Sequence, residues 1–278
     1  MAQIIWQADF YRRPLRDAGG QALWELLVCD STRTVEFVAL CPQSQANAHW
    51  LVEQLQLVAD KMPDTIQIFR PQSLSLLTTA GEQLGTTVEA TRRTYALKQW
   101  LQERSPLYRS MNNYTGEAYD LLTIEKPPPT PLPEKLWGEQ WRFAALSAKD
   151  VEAAFQERPI PILDMPPALM PLQLGLASNI SVPGVIIYGG RQSMRLTRWI
   201  QQTSPIALNY IGGAPDGLVL EADLADRWIV ATFEDREVSA SAQIYEQRKQ
   251  QSKGLHFLLV QPDNSDVTFS GFWLLRQD

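Results

Sequence analysis

The chain closes with an apolar run that a stable fold must bury. Residues 271–275 read Gly-Phe-Trp-Leu-Leu, and only three residues follow them. A chain end usually frays unless packing holds it, and a continuous apolar run is typical of a strand covered on both faces. Alternation along a strand predicts that Trp273 and Leu275 point to one face and Leu274 to the other. We therefore expect these three residues to act in folding rather than as a direct ligand contact.

The size and composition are those of a globular protein with one large domain or two ordinary ones. The chain has 278 residues, of which 45% are hydrophobic and 20% charged. No apolar stretch approaches the roughly 18 residues of a membrane span. The start, MAQIIWQADFYRR, places its charge after the apolar residues, opposite to a signal peptide, and lacks the Arg/Ser-rich lead of a transit peptide. We expect a cytoplasmic protein.

The two cysteines predict neither a disulfide nor a metal site. Cys29 and Cys41 fall in two apparent strands around a polar turn. A hairpin turning near residues 32–33 places Cys29 opposite Glu36 and Cys41 opposite Trp24, so the two thiols are not cross-strand partners. Two cysteines and two distant histidines also lack zinc spacing. No metal and no cofactor is expected.

The first half predicts three strands followed by alternating helices and strands. The strands are expected at 4–11, 23–29, 35–40, 65–69 and 86–90, and the helices at 47–61, 74–84 and 95–103. This element order is that of an RNase H-like fold, with a restriction-nuclease-like core as a close alternative.

A Pro-rich segment divides the chain. Residues 125–135 read EKPPPTPLPEK, a composition that favours extended polyproline geometry and acts as a spacer. We predict an N-terminal α/β domain at 1–124, a linker at 125–135 and a C-terminal α/β domain at 136–278. In the second domain the patterns predict strands at 185–188, 206–211, 218–222, 228–233, 255–260 and at the C-terminus, and helices at 193–201 and 238–251. The fold class is therefore α/β, with two units and mixed sheets.

The nuclease-like element order raises the question of a metal-dependent active site. Two-metal cleavage needs several carboxylates around a metal pair. Asp9 on the first strand and Glu53 on the first helix are plausible ligands, but residues 69–71 (Phe-Arg-Pro) occupy the position of the next carboxylate. Only His49 and His256 could serve as a general base for a nucleophile. A degenerate metal-dependent nuclease stays open as an alternative.

Basic residues cluster although the net charge is −6. That balance argues against a non-specific nucleic-acid coat, but it allows one local cationic face. Arg191, Arg195 and Arg198 follow helical spacing, and no acidic residue occurs between Gly184 and Pro215. The pattern predicts a cationic ridge that binds phosphates.

Aromatic residues and two further basic groups accompany that ridge. The residues that we predict to contact RNA beside the three arginines are Tyr188 and Trp199 as stacking platforms, and Arg92, Arg93, Lys98 and Lys253 as cations. A solvated helix face is the ordinary explanation for any single group of this kind. Three groups interleaved with aromatics favour RNA binding.

Five sequence blocks resemble one known family along the whole chain. They are IWQADFY at 5–11, LWGEQWRF at 136–143, VPGV at 182–185, KGLHFLLVQ at 253–261 and WLL at 273–275. The chain resembles the Tab-type (ATAB) RNA-binding translation factors of algae, plants and cyanobacteria. The resemblance implies binding of A/U-rich leader RNA and a role in making photosystem proteins.

The combined expectation is a non-enzymatic protein that binds single-stranded RNA. Sequence-selective RNA recognition favours unpaired strands, so affinity would come from arginine–phosphate pairing and base stacking. Translation machinery or photosystem proteins are possible further partners under the resemblance. An assembly chaperone whose acidic surface meets basic partners, without RNA binding, is a second alternative.

Overall fold

The computed structural model describes residues 3–117, 120–122, 124, 126–155 and 158–277. The chain divides into two compact units, Met1–Glu125 and Lys126–Asp278. Each unit combines helices with mixed sheets, which confirms the predicted α/β class. Within the described ranges, no helix has the length and apolar character needed to cross a bilayer.

Within its described residues, the first unit contains one five-stranded sheet and three helices. Its elements are β1 (Ile5–Arg16), β2 (Ala22–Asp30), β3 (Glu36–Pro42), α1 (Ala48–Gln56), β4 (Thr65–Ile68), α2 (Pro71–Leu84), β5 (Thr87–Ala90) and α3 (Tyr95–Ser110). The strand order is β3-β2-β1-β4-β5. The central strand β1 is antiparallel to β2 and parallel to β4. Strands and helices occur in the predicted order, whereas membership of the RNase H-like fold stays a prediction.

Helices cover both faces of this sheet. Apolar residues of α1 and α2 pack on the face that carries Trp6 and Phe10, while α3 packs on the face that carries Leu27 and Phe69. The predicted end of α3 at residue 103 is wrong, because the helix continues through Pro106 to Ser110. Buried Tyr108 accounts for this extension, since its packing against the sheet outweighs the local cost of proline.

The hairpin register around the cysteines is as predicted. Cys29 lies opposite Glu36, and Cys41 lies opposite Trp24. Both thiols are free and buried. Burial raises the pKa of Cys29 to about 12 and that of Cys41 to about 11, so both stay protonated at neutral pH.

The second unit contains a five-stranded and a four-stranded sheet. Its elements are β6 (Thr130–Pro131), β7 (Gln140–Ser147), α4 (Ala148–Phe155), β8 (Ile162–Asp164), β9 (Ser181–Tyr188), α5 (Ser193–Gln202), β10 (Pro205–Ile211), β11 (Asp216–Ala222), β12 (Asp226–Phe233), α6 (Arg236–Gln251), β13 (Leu255–Gln261) and β14 (Gly271–Arg276). The strand orders are β7-β9-β13-β14-β8 and β10-β11-β12-β6. Part of the predicted linker, 125–135, joins this unit: β6 pairs with β12, and Leu132 is buried, while Glu125 lies outside the described residues.

The C-terminal strand lies inside its sheet. β14 pairs with β13 on one side and with β8 on the other. Trp273 and Leu275 belong to the large core of the second unit. Leu274 is equally buried and, by strand alternation, faces the opposite side. The chain end is therefore fixed by two neighbouring strands.

His256 on β13 gives the fold a pH dependence. Its buried Nε2 accepts the Leu208 N–H at 2.8 Å, and Nδ1 lies 2.8 Å from the Gly254 carbonyl oxygen, so the neutral ring carries its proton on Nδ1. Burial and then the nearby Lys249 ammonium lower the pKa of His256 from 6.5 to about 3.

Between these two pKa values, His256 is therefore protonated in the unfolded chain and neutral in the folded chain. Because the folded pKa lies below the unfolded one, the contribution of neutral His256 to the free energy of unfolding is present above about pH 6.5 and is lost as pH falls. The free energy of unfolding, measured with urea, should fall by an amount approaching about 1.4 kcal/mol per pH unit between pH 6 and 4. His256→Gln should flatten that decline, and His49→Gln, at an exposed histidine, should not. If the free energy of unfolding depended on pH equally in wild type and in His256→Gln, the pH dependence could not come from His256.

Candidate functional site

Helix α5 and the turn before it expose three arginines, of which the sequence had predicted all three to lie on the helix. Its inner side buries Leu196 and Ile200 in the core. Arg195 and Arg198 lie on the outer side, and exposed Arg191 lies in the short 3₁₀ turn just before the helix. None of the three side chains forms an ion pair or hydrogen bond with another residue that the structure describes. We call these residues the α5 arginine face, and their charge is available to phosphate groups.

The glycine turn before α5 is not a phosphate cradle. The Gly189 N–H donates to the Gln261 carbonyl at 2.8 Å, and the Gly190 N–H donates to the Pro262 carbonyl at 3.0 Å. Gly190 has a φ of 52°, and a Cβ there would collide with the carboxylate of Glu139. Folding thus brings an acidic group to a turn that looked free of acids in the sequence.

The two predicted stacking residues are largely covered. Tyr188 is 9% exposed, and its hydroxyl accepts a hydrogen bond from Arg142 Nε at 2.6 Å. Trp199 is half-buried, and its ring meets Trp228 edge to face with centroids 5.3 Å apart. Trp199 offers part of one ring beside the α5 arginine face, whereas Tyr188 offers almost none.

The most exposed tryptophan of the second unit was missed by the sequence reasoning. Trp137 is 57% exposed, and its Nε1 donates to the Leu132 carbonyl at 2.7 Å. It borders a cleft of about 470 Å³ that Leu196 of α5 also lines. The LWGEQWRF block contains this residue, and its unusual composition was the only available signal.

Of the three basic residues of the first half that we predicted to contact RNA, two are buried. Arg92 is 3% and Lys98 6% exposed, and Lys98 Nζ donates to the Arg92 carbonyl at 2.7 Å. The Lys98 ammonium also lies 5.3 Å from the centre of the Phe69 ring. Arg93 is half-buried. Arg92 and Lys98 therefore expose too little surface to pair with phosphates.

Lys253 is not part of the α5 arginine face. It has a φ of 56° at the junction between α6 and β13. Its exposed side chain donates from Nζ to the Leu174 carbonyl at 2.7 Å. Lys253 therefore holds a neighbouring loop, which reduces its availability for RNA.

The first unit contains a buried ionic network that the sequence reasoning also missed. Asp9 accepts hydrogen bonds from Arg13 and Arg70 at 2.8 Å each, and Arg13 also donates to Glu25 at 2.8 Å. Glu25 further contacts Arg104 and the Tyr108 hydroxyl. Burial by itself raises the pKa of Asp9, but the charges of Arg70 and then Arg13 outweigh it and hold the pKa below the usual value.

This network bears on the nuclease alternative. Asp9 is fully buried and serves two guanidinium groups. Glu53 is an exposed partner of His49, 3.3 Å away. Among the described residues, no group of three histidine, cysteine, aspartate or glutamate side chains could hold a metal ion. The two proposed ligands thus have different surroundings: Asp9 pairs with buried arginines, and Glu53 lies at the surface beside His49.

Trp273 connects the C-terminal strand to α5. It is 0% exposed, and its Nε1 donates to Gln201 Oε1 at 3.0 Å. Its ring shares a core with Leu196 and Ile200, the inner residues of that helix. The WLL tripeptide is thus part of the support under the α5 arginine face.

The chain matches two family profiles that together cover nearly all of it. The profile described as "RNA-binding protein Tab2/Atab2 N terminal" matches residues 5–104, and "RNA-binding protein Tab2/Atab2, C-terminal domain" matches residues 119–276. "Protein TAB2 homolog, chloroplastic" from Zea mays is 32% identical over 97% of this chain and 70% of its own length. The Arabidopsis thaliana protein of the same name is 28% identical over 97% of this chain and 74% of its own length.

A solved structure also aligns, at a level too low to support an argument. It is a chain of the simian T-cell lymphotropic virus intasome in complex with PP2A regulatory subunit B56 gamma, with a TM-score of 0.29 and 11% identity. The alignment covers 53% of this chain and 63% of that one. The sequence matches, in contrast, span both units. This chain belongs to the Tab2/Atab2 family of RNA-binding proteins.

Proposed function

We propose that the protein binds single-stranded RNA through the α5 arginine face. The observation that carries the proposal is the exposure of Arg195 and Arg198 on α5 and of Arg191 in the turn before it, all three without carboxylate partners among the described residues. In a chain with a net charge of −6, such a face localises the attraction for phosphate to one place. Family membership supports RNA as the ligand.

The proposal extends to the kind of RNA and its use. Unpaired, A/U-rich leader RNA is the proposed ligand, because single strands leave their bases free to stack while arginines hold the backbone. Support for translation or biogenesis of photosystem subunits, with translation machinery or photosystem proteins as further partners, is the proposed role. We place this activity in the cytoplasm of a cyanobacterial cell; "chloroplastic" in the relatives' names describes those proteins.

Charge reversal on α5 tests RNA binding. Arg195→Glu/Arg198→Glu should weaken binding of a fluorescent A/U-rich single strand about tenfold or more, since charge-assisted hydrogen bonds contribute about 1.5–3 kcal/mol each. Fluorescence anisotropy at fixed salt measures the effect. The matched control is Arg236→Glu, an exposed arginine in the first turn of α6.

Four comparisons decide the outcome. The control variant should bind like wild type, and a G/C-rich strand or a duplex should bind more weakly than the A/U-rich strand. Wild-type affinity in the double variant would contradict the α5 assignment. Equal affinity for duplex and single strand would contradict the proposed ligand class.

We also propose that the protein has no catalytic role towards RNA. Asp9, the first of the two metal-ligand candidates, already pairs with Arg13 and Arg70. Labelled RNA incubated with the protein and Mg²⁺ or Mn²⁺ should therefore stay intact at the concentrations that give full binding. Metal-dependent cleavage that follows the purified protein would favour the nuclease alternative.

A further inference from the structure

The cleft beside Trp137 lies between two strand edges. β7 is the end strand of the five-stranded sheet, and β12 lies next to the very short end strand β6. The cleft has a volume of about 470 Å³, within the range of about 300–1,000 Å³ typical of small-molecule pockets. Its lining includes Trp137, Glu139, Trp141, Leu196 and residues 230–232. We call it the Trp137 cleft.

The indole of Trp137 is held in place although it is exposed. A short 3₁₀ turn, Glu134–Leu136, precedes it, and its backbone N–H donates to the Glu134 carbonyl at 3.1 Å. The ring nitrogen donates to the Leu132 carbonyl at 2.7 Å. These two bonds orient the ring before any ligand arrives, so a stacking partner would lose little further freedom on binding. An aromatic ring held in this way offers a face on which an unpaired base can stack.

The cleft also contains polar groups suited to the edge of a base. β6 pairs with β12 only at Trp228 and Ile229, followed by the Leu132 N–H donating to the Ile229 carbonyl at 3.1 Å. In the described part of the chain, Ala231 and Thr232 have a strand partner on one side alone, in β11, and Val230 falls at the register shift of that pairing. Their outer edge leaves backbone donors and acceptors open, and the Glu139 carboxylate adds an acceptor.

The cleft lies near the Arg191 end of the α5 arginine face. Glu139, which lines the cleft, lies against Gly190, the residue before Arg191. Leu196 lines the cleft from the inner side of α5, opposite Arg195 and Arg198. A strand with a phosphate paired to Arg191 would therefore pass beside the cleft. This neighbourhood favours a nucleotide over a peptide as the occupant.

We propose that the Trp137 cleft takes one unpaired nucleobase of the bound RNA, stacked on the Trp137 ring with its polar edge towards β12 and Glu139. The site rests on the proposed RNA binding. It adds a contact with a base to the phosphate contacts of the α5 arginine face. Trp137 is then a binding residue that neither helical spacing nor charge clustering in the sequence predicts.

Three substitutions separate stacking from other roles of this residue. Trp137→Ala should weaken binding of the A/U-rich strand about 5- to 150-fold, the range expected for one stacked base. Trp137→Phe keeps an aromatic face and should retain most of the affinity. Trp137→Leu keeps apolar bulk alone and should bind as weakly as Trp137→Ala. The control is Leu172→Ala, which removes another exposed apolar side chain of the same unit.

A direct readout complements the affinities. RNA that carries 5-iodouridine should crosslink on irradiation to the peptide that contains Trp137, and mass spectrometry identifies the residue. Because Trp137 is mostly exposed, the variants should keep the wild-type melting temperature. The crosslink test uses the wild-type protein and stays decisive if a variant fails to fold.

Each result has a distinct meaning. Wild-type affinity in Trp137→Ala, or crosslinks confined to other residues, would overturn the base site. If Arg195→Glu/Arg198→Glu weakens binding in the same experiments, the proposed function is unaffected by that result. Retained affinity in Trp137→Leu would overturn stacking and indicate an apolar, peptide-like occupant. Unchanged binding in the arginine variant would overturn the proposed function itself.

Discussion

Trp273→Ala is expected to lower the free energy of unfolding of the second unit by about 3–5 kcal/mol. The substitution empties a fully buried site between β13 and β8 and removes the hydrogen bond to Gln201 on α5. Hydrogen exchange resolved by peptide is the appropriate measurement, because it reports each unit of the chain separately. Protection should fall in β13, β14 and α5 and stay unchanged in the first unit.

The same variant distinguishes two roles for the WLL tripeptide. If it acts through folding, RNA affinity should fall only in step with loss of the folded second unit, and cooling or a stabilising osmolyte should restore binding. Leu172→Ala, at an exposed site, should change neither stability nor affinity. A fully stable Trp273→Ala protein that has lost RNA binding would contradict a purely structural role.

Arg13→Leu is expected to destabilise the first unit by about 3–5 kcal/mol, the typical cost of leaving buried charges unpaired. Arg13 lies between the carboxylates of Asp9 and Glu25, and all three side chains are fully buried. The neighbouring residue supplies the control. Arg12 is 54% exposed and 4.0 Å from Glu117, so Arg12→Leu should cost less than about 1 kcal/mol.

The pH dependence of this loss follows from the sign of the Asp9 shift. The folded pKa of Asp9 lies below its ordinary value of 3.8, so its contribution is present above that value and is lost as pH falls. The difference between wild type and Arg13→Leu should therefore be largest near pH 7 and should shrink below about pH 4. Urea unfolding at pH 7, 5 and 3.5 measures it, and a difference independent of pH would contradict the ionic explanation.

The exposure of Arg195 and Arg198 on α5 could be predicted because the apolar and the basic residues of the helix follow the same spacing. Leu196 and Ile200 marked the inner side of the helix, so arginines at three- and four-residue spacing had to lie outside. The first half carried no such signal. Arg92 and Lys98 flank apolar residues of α3 that pack on the sheet, and spacing alone does not reveal that their stems and charges are buried with them.

The remaining features depend on contacts between distant parts of the chain. Glu139 reaches Gly190 only after β7 pairs with β9, and Arg13 meets Glu25 only after β1 pairs with β2. Strand β7 and helix α4 were also missed, since an edge strand whose alternation is interrupted at Ala144 and Ala145 and an eight-residue helix give weak periodicity. Local patterns therefore located the cationic helix but not the cleft beside it.

The most direct test of the account is the salt dependence of RNA binding. Each phosphate neutralised on a single strand contributes about 0.7 to the slope of log Kd against log salt concentration. Arg191→Gln/Arg195→Gln/Arg198→Gln should therefore lower that slope by about 2 for an A/U-rich strand, and Arg236→Gln should leave it unchanged. A triple variant with the wild-type slope would show that the α5 arginine face does not hold the RNA backbone.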